Sequence, residues 1–306
     1  MDFSALNPVA LIASLMIAST PILFAAIGEL VVEKAGVLNL GVEGMMIIGA
    51  IFGFAAAVVT GSPWLGFVVA AIGGALLSLI FAVLTQYLLS NQVATGLALT
   101  MFGLGFSALL GHSYTGIKPP SFPKLDFEPL ARIPYVGEIL NSLDYMVYAS
   151  LILVLLVGYF LKFTRAGLVL RSVGESHDAS HALGYKVRRI RVLAIMFGGA
   201  CAGLGGAYLS LIRVPQWTEG MTAGSGWIAL ALVVFASWKP WRIILGAYLF
   251  GGVTILQLNL QALGVNIPVA YLSMTPYVVT IIVLVIMSGH RTSAPASLGR
   301  VFHASN

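Results

Sequence analysis

An all-α, polytopic bundle of membrane-spanning helices is the fold class that this sequence predicts, and three observations predict it. The 306 residues are 59% hydrophobic. Only 9% are charged, where a soluble chain carries roughly a quarter. Mean hydropathy is +0.97, and apolar runs recur at about the 20 residues that a helix needs to cross a hydrocarbon core. So much apolar surface exceeds what one aqueous core hides, which makes lipid the main solvent.

Such runs fall at 8–29, 42–60, 64–89, 92–110, 145–161, 192–212, 226–238, 241–262 and 270–288, giving nine spans in one transmembrane domain over 1–306. The first has no basic n-region and no small-residue cleavage site, so it reads as a retained helix. The seventh is short: it is a half-helix, or it extends back through the glycines of "TAGSGW".

Nine spans put the termini on opposite sides, and basic residues choose the sides. With the 162–191 loop cytoplasmic, 12 of the 16 Lys and Arg residues lie inside, leaving only Lys118, Lys124, Arg132 and Arg213 out. The N-terminus is then outside and the C-terminus inside. The loop 111–144 is extracytoplasmic and holds Pro119, Pro120, Pro123, Pro129 and Pro134. Trp64, Trp217, Trp238 and Trp241 fall near span ends, where amphipathic rings favour the interface. Four spans, a single span and four more would also give halves of inverted orientation, a common transporter plan.

Within this frame the stretch "LVVEKAGVLNLGVEGMM", 30–46, is unusually polar. Glu33 and Lys34 are expected at the water-accessible exit of the first span, and Glu29 either shares that vestibule or pairs with Lys34. Gly36, Gly41 and Gly44 let the backbone turn or approach a neighbour. Glu43 opens the second span: it either caps its own helix through the dipole or, with Asn39, faces a polar path. On the far side Gln216, Trp217, Thr218, Glu219 and Thr222 form the linker before "GSGW", either a solvated turn or the counterpart of the opening stretch along a translocation path. Gln92 and Thr95, beside Asn91 and Thr100, mark the fourth span, and Gln257, Asn259 and Gln261 the eighth. Neutral hydrogen-bonding groups of this kind suit an uncharged, hydroxyl-rich solute, and equally suit bonds between helices.

The inside segment 162–191 is too polar to span. Ser176 is placed to cap a short helix, Asp178 lies in its first turn, and Gly184 suits the left-handed position that ends it. Arg165, Arg171, Lys186, Arg188, Arg189 and Arg191 flank it as basic arms. This loop either docks a cytoplasmic partner or is ordered by lipid headgroups. His177 and His181 have no third metal ligand near them in sequence and read as surface histidines. Cys201, the single cysteine, excludes a disulfide framework and reads as a small packing residue.

Three stretches then carry a resemblance: "AGVLNLGVEGMM" (35–46), "RSVGESHDASHALGYKVRRIR" (171–191) and "TEGMTAGSGWIALALVVFASWKPW" (218–241). Together they resemble the permease subunits of ATP-binding-cassette (ABC) importers in the branch serving ribose-type sugars and nucleosides, on the side of the shorter nucleoside-type permease. Glu175, Ser176 and His177 stand where that family often has Glu-Asn-Pro, and Ser180 where it has alanine.

The resemblance implies nucleoside import into the cytoplasm across the bacterial plasma membrane, with simple sugars as the alternative solute. It implies a cytoplasmic ATPase that uses ATP and Mg, so that this chain binds no cofactor. A second related permease in a heterodimer and an extracytoplasmic binding protein complete the assembly, with membrane lipid around it and no nucleic acid. It also implies that Gly174, Glu175, Ser176, Asp178, Ala179, Ala182 and Gly184 belong to the segment coupled to the ATPase. An ion-driven transporter would need acids paired deep in the spans, and Glu29 and Glu43 lie near predicted ends. An enzyme is disfavoured, since no serine, histidine and acid constellation, metal cluster or phosphate loop is apparent.

Overall fold

The computed structural model describes residues 8–123, 136–262 and 294–303, with 268, 271, 274, 275, 277–279, 281, 282 and 285. The described regular structure is helical. In chain order it comprises α1 (Pro8–Lys34), α2 (Val42–Thr60), α3 (Pro63–Ala82), α4 (Gln92–Gly111) and α5 (Val136–Ser142). There follow α6 (Tyr145–Phe163), α7 (Arg165–Glu175), α8 (His177–Ala182), α9 (Val187–Tyr208), α10 (Ser225–Phe235) and α11 (Pro240–Ala262). Short π-helical turns, Val83–Tyr87 and Leu209–Arg213, lengthen α3 and α9.

Among the described residues, seven helices are long and apolar enough to cross a membrane. They match the first six predicted spans and the eighth. The seventh is α10, only 11 residues long, so the half-helix alternative holds. The ninth, at 270–288, falls mostly outside the described residues, as does 124–135 of the loop 111–144. The sixth span starts earlier than its apolar run indicates, at Val187, because the basic stretch 188–191 is already helical.

Local sequence explains the breaks. Gly61, at φ +69°, ends α2 in the left-handed conformation, and Pro63 then opens α3 where its missing N–H costs nothing. Asn91 accepts from Ala94 N to start α4, and Thr164 accepts from Gly167 N to start α7. Asp144 caps α6 by accepting from Met146 N and Val147 N, and its other oxygen accepts from Tyr208 Oη at 2.6 Å.

Helix α9 is the centre of the bundle and packs on α1, α2 and α3. Lipid tails are as apolar as leucine, so helices in a membrane associate by close packing and interhelical hydrogen bonds. Glycine pairs supply that packing: Gly203 of α9 lies on Gly49 of α2, and Gly199 of α9 on Gly74 of α3. α1 also packs on α10 and α11. Cys201 is buried where α9 meets Gly28 of α1, the expected packing role.

Candidate functional site

The site begins where α1 ends. After Lys34 the chain does not leave the bundle: residues 35–41 turn back and run beside α1. Val37 N donates to Val32 O, and Asn39 Nδ2 donates to Glu29 Oε2 at 3.3 Å, more than a helical turn above the end of α1. Backbone that is not helical survives at such depth only where protein satisfies it. Here Leu38 N donates to Gln92 Oε1 at 2.8 Å, Gly41 N to Asn39 Oδ1, and Leu40 O accepts from Thr100 Oγ1 and Trp227 Nε1. Gly41 and Gly44 pack on the backbone of α4, so the second expectation for them, close approach, is the one realised.

Glu43 then enters α2 inside the bundle. Its Oε1 accepts from Thr222 Oγ1 at 2.5 Å and from Gly224 N at 2.9 Å, and its Oε2 accepts from Gly226 N at 2.7 Å. The carboxyl therefore caps α10, whose first N–H groups have no partner within their own helix. The sequence left open whether Glu43 caps α2; instead α2 begins after Gly41, which supplies no side-chain cap. Gly226 lies so close to the Glu43 backbone that a β-carbon there would collide with it.

The opposite end of α10 carries a second acid contact. Trp238 Nε1 donates to Glu33 Oε2 at 2.5 Å. Eleven residues at 1.5 Å each place the two ends of α10 about 16 Å apart, so Glu33 and Glu43 bracket the half-helix. The expected wet vestibule is not found: Glu29 is 0% and Glu33 1% exposed. Asn39 of the returning chain bonds Glu29, and at Glu33 a hydrogen-bonding indole takes the place of water. Glu29 keeps one oxygen, Oε1, buried without a protein partner, and Gln92 Nε2 is in the same condition. Trp217 and Trp238 also depart from the interfacial role, at 3% and 5% exposed: Trp217 covers Gly111, while Trp64 and Trp241 remain on the outer surface.

Asn39 and Gln92 thus hold the returning chain, and Glu43, just beyond it, holds Thr222 and the start of α10. The other path candidates do not. Thr95 pairs with Ser90 at the α3–α4 turn, and Asn259 bonds Ile255 O of its own helix. Gln257 is half-buried on α11, and Gln216, Thr218 and Glu219 are exposed. Gly224, Gly226 and Trp227 were missed as site residues, although the glycine-rich "TAGSGW" before a short apolar run was the signal for them. Beside α10 a cavity of about 490 Å³ opens between Trp227, Ile228, Ala231, Phe250 and Tyr277.

At the Lys34 end of the bundle lies the basic loop. Ser176 Oγ accepts from Ala179 N and starts α8; Gly184, at φ +87°, ends it in the left-handed region. Glu175, Asp178, Ala179, Ala182 and Gly184 are exposed, whereas Gly174 is buried against the backbone of Lys34. The arms are helices, α7 and the first turn of α9, because Thr164 caps the former and the latter continues a long span. His177 is not a surface histidine: it is 8% exposed, under Phe302 and beside Arg191. Among the described residues no group of three or more His, Cys, Asp or Glu is placed to hold a metal.

A multi-pass bundle whose re-entrant chain and half-helix meet at a buried acid is the architecture of a membrane transport protein. The chain belongs to the family described as the branched-chain amino acid transport system / permease component, which it matches over residues 11–287. It is 41% identical over 289 residues to the putative glucose ABC transporter permease protein TsgC13 of Haloferax volcanii, covering 87% of this chain and 88% of that one. It is 33% identical over 298 residues to the guanosine ABC transporter permease protein NupQ of Bacillus subtilis, covering 93% of each. To the nucleoside ABC transporter permease protein NupC of Lactococcus lactis it is 32% identical over 302 residues, covering 94% and 95%. No solved structure matches it. The chain is a transport subunit and not an enzyme.

Proposed function

We infer that this chain moves nucleosides into the cytoplasm as the permease subunit of an ABC importer. The single observation that carries the mechanism is the Glu43 bridge from α2 to the start of α10. It joins two broken elements inside the bundle, the position where alternating-access carriers bind and gate their solutes. The nucleoside assignment is supported by the similarity to NupQ and NupC along nearly their whole length. Buried amides and hydroxyls at Asn39, Gln92 and Thr222 suit an uncharged solute.

In this reading the end bearing Lys34, α8 and Arg300 faces the cytoplasm, and the N-terminus lies outside, following the basic residues. α8 within the 162–191 loop contacts an ATPase that hydrolyses ATP with Mg. A related second permease completes a heterodimer, and a binding protein delivers solute at the 111–144 side. Simple sugars are the second reading, favoured by the 41% identity to TsgC13.

Uptake of labelled guanosine and uridine, with glucose and ribose as competitors, tests both readings in cells with and without this gene and the ATPase gene. Gene- and ATPase-dependent nucleoside uptake that sugars do not compete supports the first. Uptake of sugar, or competition by it, moves the assignment to sugars, and ATPase-independent uptake contradicts the ABC mechanism.

A further inference from the structure

The segment 294–303 has a place in the fold that the assignment of α8 leaves unexplained. Ser297 N donates to Gly174 O at 2.9 Å, and Ser297 Oγ donates to Glu175 O at 3.2 Å, both at the end of α7. His177 N, in the first turn of α8, donates to Ser297 Oγ at 3.4 Å. Two residues on, Gly299 N donates to Gly36 O, within the re-entrant segment. Phe302 meets His177 and His181 of α8 edge to face and forms a small apolar cluster with Val173 and Val187.

Arg191 is the centre of this arrangement and is 0% exposed. Its Nε donates to Ala35 O at 3.2 Å, its Nη1 to Arg300 O at 3.0 Å, and its Nη2 lies 3.3 Å from His177 Nδ1. A guanidinium is a rigid planar fork, and a buried cation must keep its donors satisfied. One side chain therefore fixes the positions of three segments: the start of the re-entrant stretch, α8 and the C-terminal strand of chain. Eight residues beyond Ala35 stands Glu43.

We propose that residues 294–303 and Arg191 form a clasp that delivers movement of α8 to the 35–43 segment, and so to the Glu43 bridge. Arg191 is a positioning residue in this role and touches no solute. The proposal rests on α8 being the ATPase contact. Among the described residues α8 is otherwise held by the chain at its two ends and by Ser180 Oγ, which donates to Ser172 Oγ of α7 at 3.4 Å, and neither of these reaches the 35–43 segment.

The test uses the complete transporter, with its ATPase, partner permease and binding protein, in proteoliposomes, reading solute imported per ATP hydrolysed. Arg191→Met, Ser297→Ala, Phe302→Ala and a chain ending at residue 293 are compared with the unaltered protein. The expected result is a fall in that ratio of about fivefold or more for Arg191→Met and for the shortened chain, with hydrolysis retained. Arg191→Lys, which keeps the charge on a single nitrogen without the planar fork, should fall between. An unchanged ratio in all variants that assemble overturns the proposal.

Ser297→Ala and Phe302→Ala decide the matter should the severe variants not assemble. Each should lower the ratio, and wild-type ratios in both overturn the clasp. Ala182→Glu on the exposed face of α8 separates the two levels. Unaltered uptake there removes α8 as the ATPase contact. Lost coupling there with normal coupling in the Ser297 and Phe302 variants removes the clasp alone.

Discussion

Thr222 Oγ1 lies 2.5 Å from Glu43 Oε1, although 179 residues separate them in the chain. That contact converts two local irregularities, a re-entrant stretch after α1 and a half-helix after α9, into one structural unit. Glu43 closes the unit by accepting from the N–H of Gly224, just before α10, and of Gly226 in its first turn, where the helix dipole favours a carboxylate.

At the other end of α10 the Trp238–Glu33 bond should be measurable as an energetic pair. Trp238→Phe leaves Glu33 Oε2 buried without a donor and is expected to destabilise the protein by about 1–3 kcal/mol. Adding Glu33→Met removes the stranded acceptor and should recover much of that loss. Thermal unfolding of the two single variants and the double variant, in the same detergent, gives the coupling energy. Additive losses would show that the pair is not coupled.

The glycine contacts around α9 predict sensitivity to volume. Valine at Gly74 would drive its β-carbon into the backbone of Gly199 and Gly203, and α3 must move away. A loss of about 1–3 kcal/mol, seen as lower membrane abundance and an earlier melting transition, is expected. Gly105→Val, where a β-carbon meets nothing, should leave both unchanged.

Asp144 and Tyr208 tie the start of α6 to α9. Burial pushes the Asp144 carboxyl above its ordinary 3.8, while the Tyr208 hydroxyl and the N–H groups of α6 pull it down. Tyr208→Phe removes one of those restraints, so the folded-state value rises further. A carboxyl raised in the folded state loses stability as pH climbs from its unfolded value through its folded one. The deficit of Tyr208→Phe relative to the parent should accordingly widen as pH rises through the parent's folded value, itself above 3.8, toward the variant's higher one, which melting curves across pH will show.

His177 predicts a dependence of opposite sense around α8. Burial, then Arg191 of α9 and Arg300 of the C-terminal segment, lower its basicity below the ordinary 6.5, while Asp178 on its own helix raises it. The neutral ring accepts from Arg191 through Nδ1. A base lowered in the folded state contributes stability above its unfolded value, and that contribution is lost as pH falls from 6.5 toward the folded value. Solute imported per ATP should decline over that range, and His177→Asn, a neutral acceptor, should flatten the decline.

Much of the architecture was legible because lipid thickness sets helix length. The run 42–60 is helix α2 to the residue, and the short seventh run is the half-helix. The cap at Ser176 and the turn at Gly184 also follow from side-chain chemistry alone. What escaped was burial. In a membrane helix the lipid face is as apolar as the core, so periodicity does not say which face packs inward. Glu33 looked like a solvated exit residue, and Trp238 like an interfacial ring, because each is costly in lipid only when alone. Their mutual bond reverses both readings. His177 misled for the same reason: what covers it, Phe302, is over a hundred residues away and lies in a segment with no apolar run.

The central claim is that the Glu43 bridge lies on the transport path and works in the cycle. Guanosine uptake by cells carrying Glu43→Ala, with membrane abundance matched to the parent, measures it most directly. The account predicts uptake lower by about tenfold or more, since Thr222, Gly224 and Gly226 lose their shared acceptor and α10 loses its fixed start. Parental uptake at equal abundance would contradict it, and would leave the bridge as an ordinary contact between two helices.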